Sequence, residues 1–426
     1  MRLSGPQAIP IAEVLAGGGR LTSLPSRRLT RVALVDPDDG SPLDEALCAV
    51  MRAPQSYTGE DVVELSCHGS PALLRIVIAR LRAAGARLAD PGEFTRRSFM
   101  NGRMHLARAE AVALLVSART ERAARLAARA LAQFGSDAER VRETLLDVVA
   151  GLEVRLDFPD EEVGRSARDA AEEMKRLVAS VERWRQAAWH GRVVHDGLTL
   201  AIVGAPNAGK STLLNALAGS DRAIVSPVPG TTRDVVEATI ALAGVPIRML
   251  DTAGLGVARD AIEAEGMRRS RKAIEESDIV ILVFDGSIAP DTTALRIGEA
   301  KTRVLVRSKA DLPPEPAALA ITGALAVSAI EGDGVESLVR ELERIIGERV
   351  GADGDEGGLV ASLRQLEVLQ ALEGSLRRAG EALLAAPLEV ALVDLHAALV
   401  SLSELLGVEV GDAVLDKVFA TFCLGK

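Results

Sequence analysis

The run GAPNAGKS at residues 204–211 constrains the fold of this chain more than any other feature. It matches the pattern GxxxxGK[ST] and stands directly after the apolar stretch LTLAIVG and before STLLNALAG. Such glycines let backbone N–H groups wrap a phosphate at the start of a helix, while the lysine reaches phosphate oxygens and the serine hydroxyl binds Mg²⁺. The run therefore predicts a nucleoside-triphosphate site. Its predicted phosphate-binding residues are Asn207, Ala208, Gly209, Lys210, Ser211 and Thr212.

Short β-type runs surround this loop between about residues 197 and 349. VEATIAL, PIRMLD, IVILVFDG, TRVLVRS and ALAVSA follow LTLAIVG, and helical stretches separate most of them. The pattern predicts a largely parallel, doubly wound sheet. VEATIAL and PIRMLD are joined by AGV alone, which is too short for a crossover, so we expect an antiparallel hairpin at the sheet edge.

The regions on either side of this domain have different patterns of apolar and turn-forming residues. Residues 1–103 mix short apolar runs with turn signals and predict a small α/β domain. Residues 104–196 and 350–426 have a helical pattern. The first range is interrupted at DFPDEE, and in the second range the run GADGDEGG comes before the helical pattern. We therefore expect a multidomain fold, α/β plus α, in which one discontinuous helical domain is interrupted by a nucleotide-binding domain at 197–349.

Composition excludes several classes of protein. The 426 residues carry a net charge of −10 and only 2% aromatics, which argues against binding nucleic acid by a basic field or an aromatic platform alone. Three distant cysteines form neither a disulfide scaffold nor a CxxC zinc site. We expect no membrane span and no signal peptide, and hence a soluble, cytoplasmic protein.

Two further motifs fit a phosphate-sensing site. Asp251-Thr252-Ala253-Gly254 follows PIRML, and such an Asp holds Mg²⁺ through water while the Gly N–H contacts the γ-phosphate. Between this motif and the first loop lies PGTTRD, residues 229–234, whose Thr232 would give a second hydroxyl to Mg²⁺. In this order and spacing the motifs predict a GTPase-type site.

The loops at the ends of the predicted strands TRVLVRS and ALAVSA indicate which nucleotide base the site binds. Ser308-Lys309-Ala310-Asp311 stands where such proteins carry N-K-x-D, and an Asp carboxylate accepts from N1–H and the 2-amino group of guanine. Adenine offers neither donor, so Asp311 indicates GTP. Ser308 replaces the usual Asn, so we expect guanine to be held less firmly with specificity kept. Ser328-Ala329 is predicted to bring a backbone N–H to the guanine O6.

The water-activating residue is not where many GTPases place it. Leu255 follows Gly254 at the position often taken by Gln, and leucine cannot orient water. Glu263 and Glu265 in DAIEAEGMRRS are candidates, although either is equally compatible with a surface carboxylate. Because no arginine finger is obvious within the chain, we expect a second cation to neutralise charge in the transition state.

Together these motifs resemble the MnmE (TrmE) family of tRNA modification GTPases. The resemblance rests on GAPNAGKST, PGTTRDV, DTAGL, Glu263 twelve residues after Asp251, and FCLGK. It extends to YTGEDVVEL, HGSP, PGEFTRRSFMNGRMHLARAEAV and DFPDEE, and so covers nearly the whole chain. It implies a dimerising N-terminal domain that binds a tetrahydrofolate derivative (5-formyl or 5,10-methylene), a helical domain, and an inserted Ras-like GTPase domain.

The resemblance also implies an activity and partners. Family members form homodimers and work with the FAD-dependent MnmG protein, so FAD enters only through that partner. Together they attach an aminomethyl or carboxymethylaminomethyl group to C5 of the wobble uridine, position 34, of tRNA.

Residue roles follow from the resemblance position by position. It implies that a K⁺ ion is bound by Asn207, Ser226, Val228 and Thr231 and that Glu263, rather than Glu265, orients water. The implied nucleotide-binding loop comprises Ser226, Pro227, Val228, Pro229, Gly230, Thr231 and Thr232. The implied folate-binding residues are Arg2, Glu64, Arg103 and Lys426.

Two positions leave alternatives open. Cys423 in FCLGK is implied to act in the modification chemistry, whereas a lone cysteine is more commonly a small buried hydrophobe. Family members also begin further upstream than Arg2, with an extra strand. We therefore expect either an upstream start or a folate domain without that strand, which would bear on the folate site and the dimer.

Other functions compete with this interpretation. A GTP-switched, RNA-binding ribosome-assembly factor would need an appended RNA-binding module, and the residues after Gly358 read as helix of mixed charge. A helical scaffold with a degenerate nucleotide domain would lack site residues, whereas Lys210, Ser211, Thr232 and Asp251 are all present. The sequence thus favours tRNA modification.

Overall fold

The computed structural model describes residues 1–17, 21–158, 164–219, 237–251, 275–290, 302–350, 362–408, 411–420 and 422. The chain divides into two units. One comprises Met1–Ala113, Leu131–Met174 and Gly374–Lys426, and the other comprises Leu114–Ala130 and Lys175–Glu373. In the part of the chain that is described, no helix is both long and apolar enough to cross a membrane.

The first unit begins with a four-stranded antiparallel sheet in the order β1-β4-β3-β2. Its strands are β1 (Arg2–Ser4), β2 (Thr30–Val35), β3 (Pro42–Met51) and β4 (Val62–Ser66), and its helices are α1 (Ala8–Glu13), α2 (Pro71–Ala83) and α3 (Glu93–Met100). Ala46, Cys48 and Val50 alternate along β3 and are buried, which is the period of a strand with one face on a core. The Ser70 hydroxyl accepts from the Leu73 N–H and so caps α2.

Long helices follow, as the sequence predicts. They are α4 (Leu106–Ser117), α5 (Glu121–Arg129), a π-helical turn (Ala130–Phe134), α6 (Gly135–Asp157) and α7 (Ala167–Asp196). The apolar stripe of α6 is buried at Val141, Leu145, Val148 and Leu152. Leu156, the next position of this stripe, is 37% exposed and lies one residue before the end of α6.

The second unit contains a six-stranded sheet in the order β10-β9-β8-β5-β7-β6. Its strands are β5 (Leu198–Gly204), β6 (Glu237–Leu242), β7 (Val245–Asp251), β8 (Ile279–Asp285), β9 (Thr302–Ser308) and β10 (Leu325–Ala326). Its helices are α8 (Lys210–Ala218), α9 (Pro316–Leu319) and α10 (Val335–Val350). All pairings are parallel except β6 with β7, which confirms the predicted sheet and its edge hairpin.

Helices return after the sheet. They are α11 (Leu363–Ala385), α12 (Leu388–Leu406) and α13 (Asp412–Phe419). Within the first unit, α12 packs against α6, and Leu415, Phe419 and Phe422 form a small apolar cluster with Leu106. Within the second unit, the Thr120 hydroxyl at the start of α5 donates to the Gly244 carbonyl at the tip of the β6–β7 hairpin, over 2.7 Å.

Candidate nucleotide-binding site

The phosphate loop lies between β5 and α8, where the sequence predicts it. Asn207 and Gly209 have φ values of +59° and +86°, and Gly209 is the residue that caps α8. A left-handed backbone conformation costs little free energy for Gly and is tolerated by Asn. The first amides of α8 therefore open toward the loop, and the N-terminus of a helix favours an anion.

Lys210 lies in the first turn of α8, and its side chain folds back onto the loop. It is 9% exposed, and its ammonium donates to the Ala205 carbonyl over 2.7 Å. Ser211 and Thr212 are exposed beside it. The ammonium and the Ser211 hydroxyl are thus both carried by one helical turn, next to the amides that would receive a phosphate.

The carboxyl ends of β5 and β7 meet at this edge of the sheet. Ile202 pairs with Asp251 in the parallel register, which places the backbone of Asp251 beside the strand that leads into the phosphate loop. The next strand approaches closely as well, because a Cβ on Gly204 would lie 2.1 Å from the Val283 carbonyl oxygen. Only glycine fits at the entry to the loop.

The two loops proposed to read the base are joined to each other. The Ser328 hydroxyl donates to Oδ1 of Asp311 over 2.6 Å, and the Ala310 N–H donates to the Val327 carbonyl over 3.2 Å. Ser328 is buried, Asp311 is exposed, and Ala329, the next residue of the same loop as Ser328, is partly buried. The carboxylate that would accept from guanine is therefore held at one oxygen while the residue remains open to solvent.

Ser308 ends β9 and contacts the phosphate loop. Its hydroxyl lies 2.7 Å from the carbonyl oxygen of Ala208 in the phosphate loop and 3.0 Å from that of Phe284 near the end of β8. Ser308 is 6% exposed. The predicted base loop and the predicted phosphate loop are thus brought together through this one side chain.

Asp285 is a site residue that the sequence analysis missed. Its Oδ2 accepts from the Lys309 ammonium over 2.6 Å, and its Oδ1 accepts from the amide and hydroxyl of Ser287. Burial alone would raise the pKa of Asp285, but these hydrogen bonds outweigh burial and hold the pKa below its ordinary value. The sequence carried a signal for this residue, since Asp285 ends the apolar run IVILVFD and so lies at the carboxyl edge of the sheet.

Several predicted site residues lie outside the described residues. They are Ser226, Pro227, Val228, Pro229, Gly230, Thr231, Thr232, Thr252, Ala253, Gly254, Glu263, Cys423 and Lys426, together with the side chain of Asp251.

The predicted folate residues that are described lie in the N-terminal sheet and just after α3. Arg2 and Glu64 are cross-strand partners on β1 and β4, and the Arg2 Nε donates to Glu64 Oε1 over 2.7 Å. The Arg2 guanidinium also lies over the rings of Tyr57 and Phe94, 5.3 and 5.5 Å from their centroids. Arg103 lies instead against Gly59, where an added Cβ would come within 3.3 Å of its Cγ.

The fold and the site define a class. A largely parallel sheet with a phosphate-loop motif after β5, and with the exposed Asp311 held by Ser328 at the same edge, is the architecture of a Ras-like P-loop GTPase domain.

Comparison with known proteins identifies the family. A family model described as "GTP-binding protein TrmE N-terminus" matches residues 1–103, and one described as "MnmE helical domain" matches residues 106–423. The chain is similar to proteins named tRNA modification GTPase MnmE: 38% identical to that of Koribacter versatilis, and 40% identical to that of Symbiobacterium thermophilum. These matches cover 100% of this chain and 95% and 96% of the two relatives. The chain belongs to the MnmE (TrmE) family.

Proposed function

We propose that this chain is a potassium-stimulated GTPase that drives wobble-uridine modification of certain tRNAs together with an MnmG-type FAD protein. The reaction adds a (carboxymethyl)aminomethyl group to C5 of that uridine. The observation that carries the proposal is the similarity to tRNA modification GTPases along the whole chain. The geometry of the phosphate and base loops supports the GTPase part.

In the proposed mechanism residues of the phosphate loop and the base loops bind and orient the nucleotide. The amides at the start of α8 and the Lys210 ammonium receive the β- and γ-phosphates, so Lys210 exchanges its contact with the Ala205 carbonyl for phosphate oxygens. Asp311, fixed by Ser328, accepts the N–H groups of the guanine edge. Glu263 orients the attacking water in this proposal.

The residues fit the metals that the family implies. The Ser211 hydroxyl in the first turn of α8 and a carboxylate at the end of β7 are oxygen donors, which Mg²⁺ prefers. Asn207 in the phosphate loop adds an amide oxygen, a ligand suited to K⁺, and Ser226, Val228 and Thr231 are its proposed co-ligands. When bound, the cations supply positive charge to the phosphoryl group in the transition state.

The folate residues also fit their proposed ligand in chemistry. The two N–H contacts that Arg2 makes with Glu64 both fall on Oε1, which leaves Oε2 of that carboxylate without a hydrogen bond from Arg2. A carboxylate accepts from pterin N–H groups, and Arg2 and Arg103 carry charge suited to a folate's carboxylates. We propose that Arg2, Glu64, Arg103 and Lys426 bind a 5-formyl or 5,10-methylene tetrahydrofolate, with Cys423 near the modification chemistry.

The proposal includes organisation and location. The domains are residues 1–103, the helical stretches 104–196 and 350–426, and the GTPase insertion 197–349. The chain works as a homodimer in the cytoplasm. A ribosome-assembly role is not favoured, because both family domain models and the full-length relatives are those of tRNA modification GTPases.

The deciding experiment is complementation of a bacterium deleted for its own gene of this family. We expect expression of this chain to restore the modified wobble uridine, measured by nucleoside mass spectrometry of total tRNA. The Ser211→Ala variant, which removes the proposed Mg²⁺ ligand, should restore none of it. If soluble, GTP-hydrolysing protein accumulates and the modification does not return, the tRNA part of the proposal is wrong while the GTPase part stands.

A further inference from the structure

The Ser308 hydroxyl has two close neighbours, and both are acceptors. They are the backbone carbonyl oxygens of Ala208, at 2.7 Å, and Phe284, at 3.0 Å. A hydroxyl carries one proton and two lone pairs. Since the side chain is 6% exposed, this proton is given to one or the other carbonyl, and only lone pairs remain.

The two hydrogen-bonding edges of guanine need different partners in a binding site. N1–H and the 2-amino group are donors, and a carboxylate such as Asp311 accepts from both. N7 and O6 on the other edge are acceptors, so they can be read only by a donor. A serine whose proton is already given to the backbone offers them nothing.

We infer that Ser308 is a positioning residue that ties the base loop to the phosphate loop and itself gives no hydrogen bond to the guanine N7. The base is then selected by Asp311 on its N1 and 2-amino edge. The inference deepens the proposed GTP site and rests on it.

An asparagine at this position would behave differently. Its amide NH₂ carries two protons, so one can serve a backbone carbonyl while the other serves N7. The change Ser308→Asn therefore adds an N7 contact. Replacement by alanine removes the hydroxyl that lies between the Ala208 and Phe284 carbonyls and creates no donor.

The test measures dissociation constants of the full-length chain for GDP, 7-deaza-GDP and ADP by calorimetric titration. 7-Deaza-GDP replaces N7 by C–H and keeps the N1 and 2-amino groups. We expect the wild type to bind GDP and 7-deaza-GDP within about twofold of each other and ADP far more weakly. We expect Ser308→Asn to bind GDP about five- to tenfold more tightly than 7-deaza-GDP.

Ser308→Ala provides a second, independent variant. We expect it to weaken GDP and 7-deaza-GDP by the same factor, so that their ratio stays near that of the wild type. A merely structural defect would weaken both nucleotides alike. It cannot produce the change expected for Ser308→Asn, in which the dissociation constants for GDP and 7-deaza-GDP become different.

Three outcomes would overturn the inference. The first is a wild type that prefers GDP to 7-deaza-GDP by about fivefold or more, because N7 is then read. The second is Ser308→Asn binding both nucleotides alike with wild-type affinity. The third, ADP binding as tightly as GDP in the wild type, would overturn the proposed guanine site as well, and so differs from a failure confined to Ser308.

Discussion

The Ser328 hydroxyl donates to Oδ1 of Asp311 over 2.6 Å, across the two loops that follow β9 and β10. Ser328 is 1% exposed, and its own amide donates to the Asp333 carbonyl over 2.8 Å. The backbone that carries the donor hydroxyl is therefore fixed as well. A buried donor that fixes one oxygen of an exposed carboxylate reduces the orientations this carboxylate can take. Asp311 is thereby prepared for a ligand with donor groups.

Replacing Ser328 by alanine should therefore weaken guanine-nucleotide binding. A hydrogen bond to a charged acceptor is lost and Asp311 gains freedom, so we expect GDP to bind about five- to tenfold more weakly. Preference for GDP over ADP should persist, because the carboxylate itself remains. Calorimetric titration of the two nucleotides measures both quantities.

Ser337→Ala is the matched control, since Ser337 is an exposed serine on α10 of the same unit. It should bind GDP like the wild type. Wild-type affinity in Ser328→Ala would mean that the contact with Asp311 does not prepare the carboxylate for binding.

Glu263→Ala should separate binding from hydrolysis. The residue is proposed to orient water and not to touch the base or the α- and β-phosphates, so GDP affinity should stay close to that of the wild type. Steady-state GTP hydrolysis in K⁺ buffer should fall on the order of a hundredfold, as is typical when a positioned acid–base group is removed. Glu265→Ala, two residues away, should hydrolyse GTP normally. Undiminished turnover in Glu263→Ala would remove this residue from the mechanism.

Much of the fold was predictable because local pattern and connection length decide it. The short connection at Ala243 and Gly244 allows only a hairpin between β6 and β7, and the alternation of apolar runs with helical stretches predicts a largely parallel sheet. The carboxyl ends of parallel strands meet at one edge, and this brings the phosphate loop after β5 and the base loop after β9 to the same edge of the sheet.

The finer contacts were not predictable, because they join side chains to backbone atoms far away in sequence. The Ser308 hydroxyl reaches the Ala208 carbonyl across 100 residues, and no residue type marks a carbonyl as a partner. Arg2 lies over Tyr57 and Phe94 because packing within the first unit brings three separate segments together. Such contacts follow from the assembled fold and not from a local pattern.

Potassium should accelerate GTP hydrolysis where sodium does not. The proposed site uses the amide oxygen of Asn207, whose φ of +59° belongs to the left-handed region. Asn207→Gly keeps that backbone conformation accessible and removes the oxygen, which separates backbone strain from metal binding. We expect the ratio of rates in K⁺ and Na⁺ to fall toward one in this variant. If the wild type hydrolyses GTP at equal rates in the two salts, the proposed K⁺ site is wrong.

Glu93 should make the first unit sensitive to acid. Its side chain is 12% exposed, and it accepts from Arg87, from the Asp90 amide over 2.9 Å and from Arg97 over 2.7 Å. Burial alone would raise the pKa of Glu93, but these hydrogen bonds lower it from 4.5 to about 2. The depressed pKa means that the ionised carboxylate stabilises the folded state above the unfolded-state value. This stabilisation is lost as the pH falls from about 4.5 toward 2.

Glu93→Gln removes the titrating group and leaves Arg87 and Arg97 facing a neutral amide. At pH 7 we expect the variant to lose on the order of 2–3 kcal/mol in free energy of unfolding, measured by urea denaturation with far-ultraviolet circular dichroism. At pH 3 the difference from the wild type should be clearly smaller, because the unfolded wild type has taken up its proton by then. Glu121→Gln, in an exposed ion pair with Arg125, is the control and should change little at either pH. A difference between wild type and Glu93→Gln that stays constant from pH 7 to pH 3 would show that Glu93 acts by packing and not by its charge.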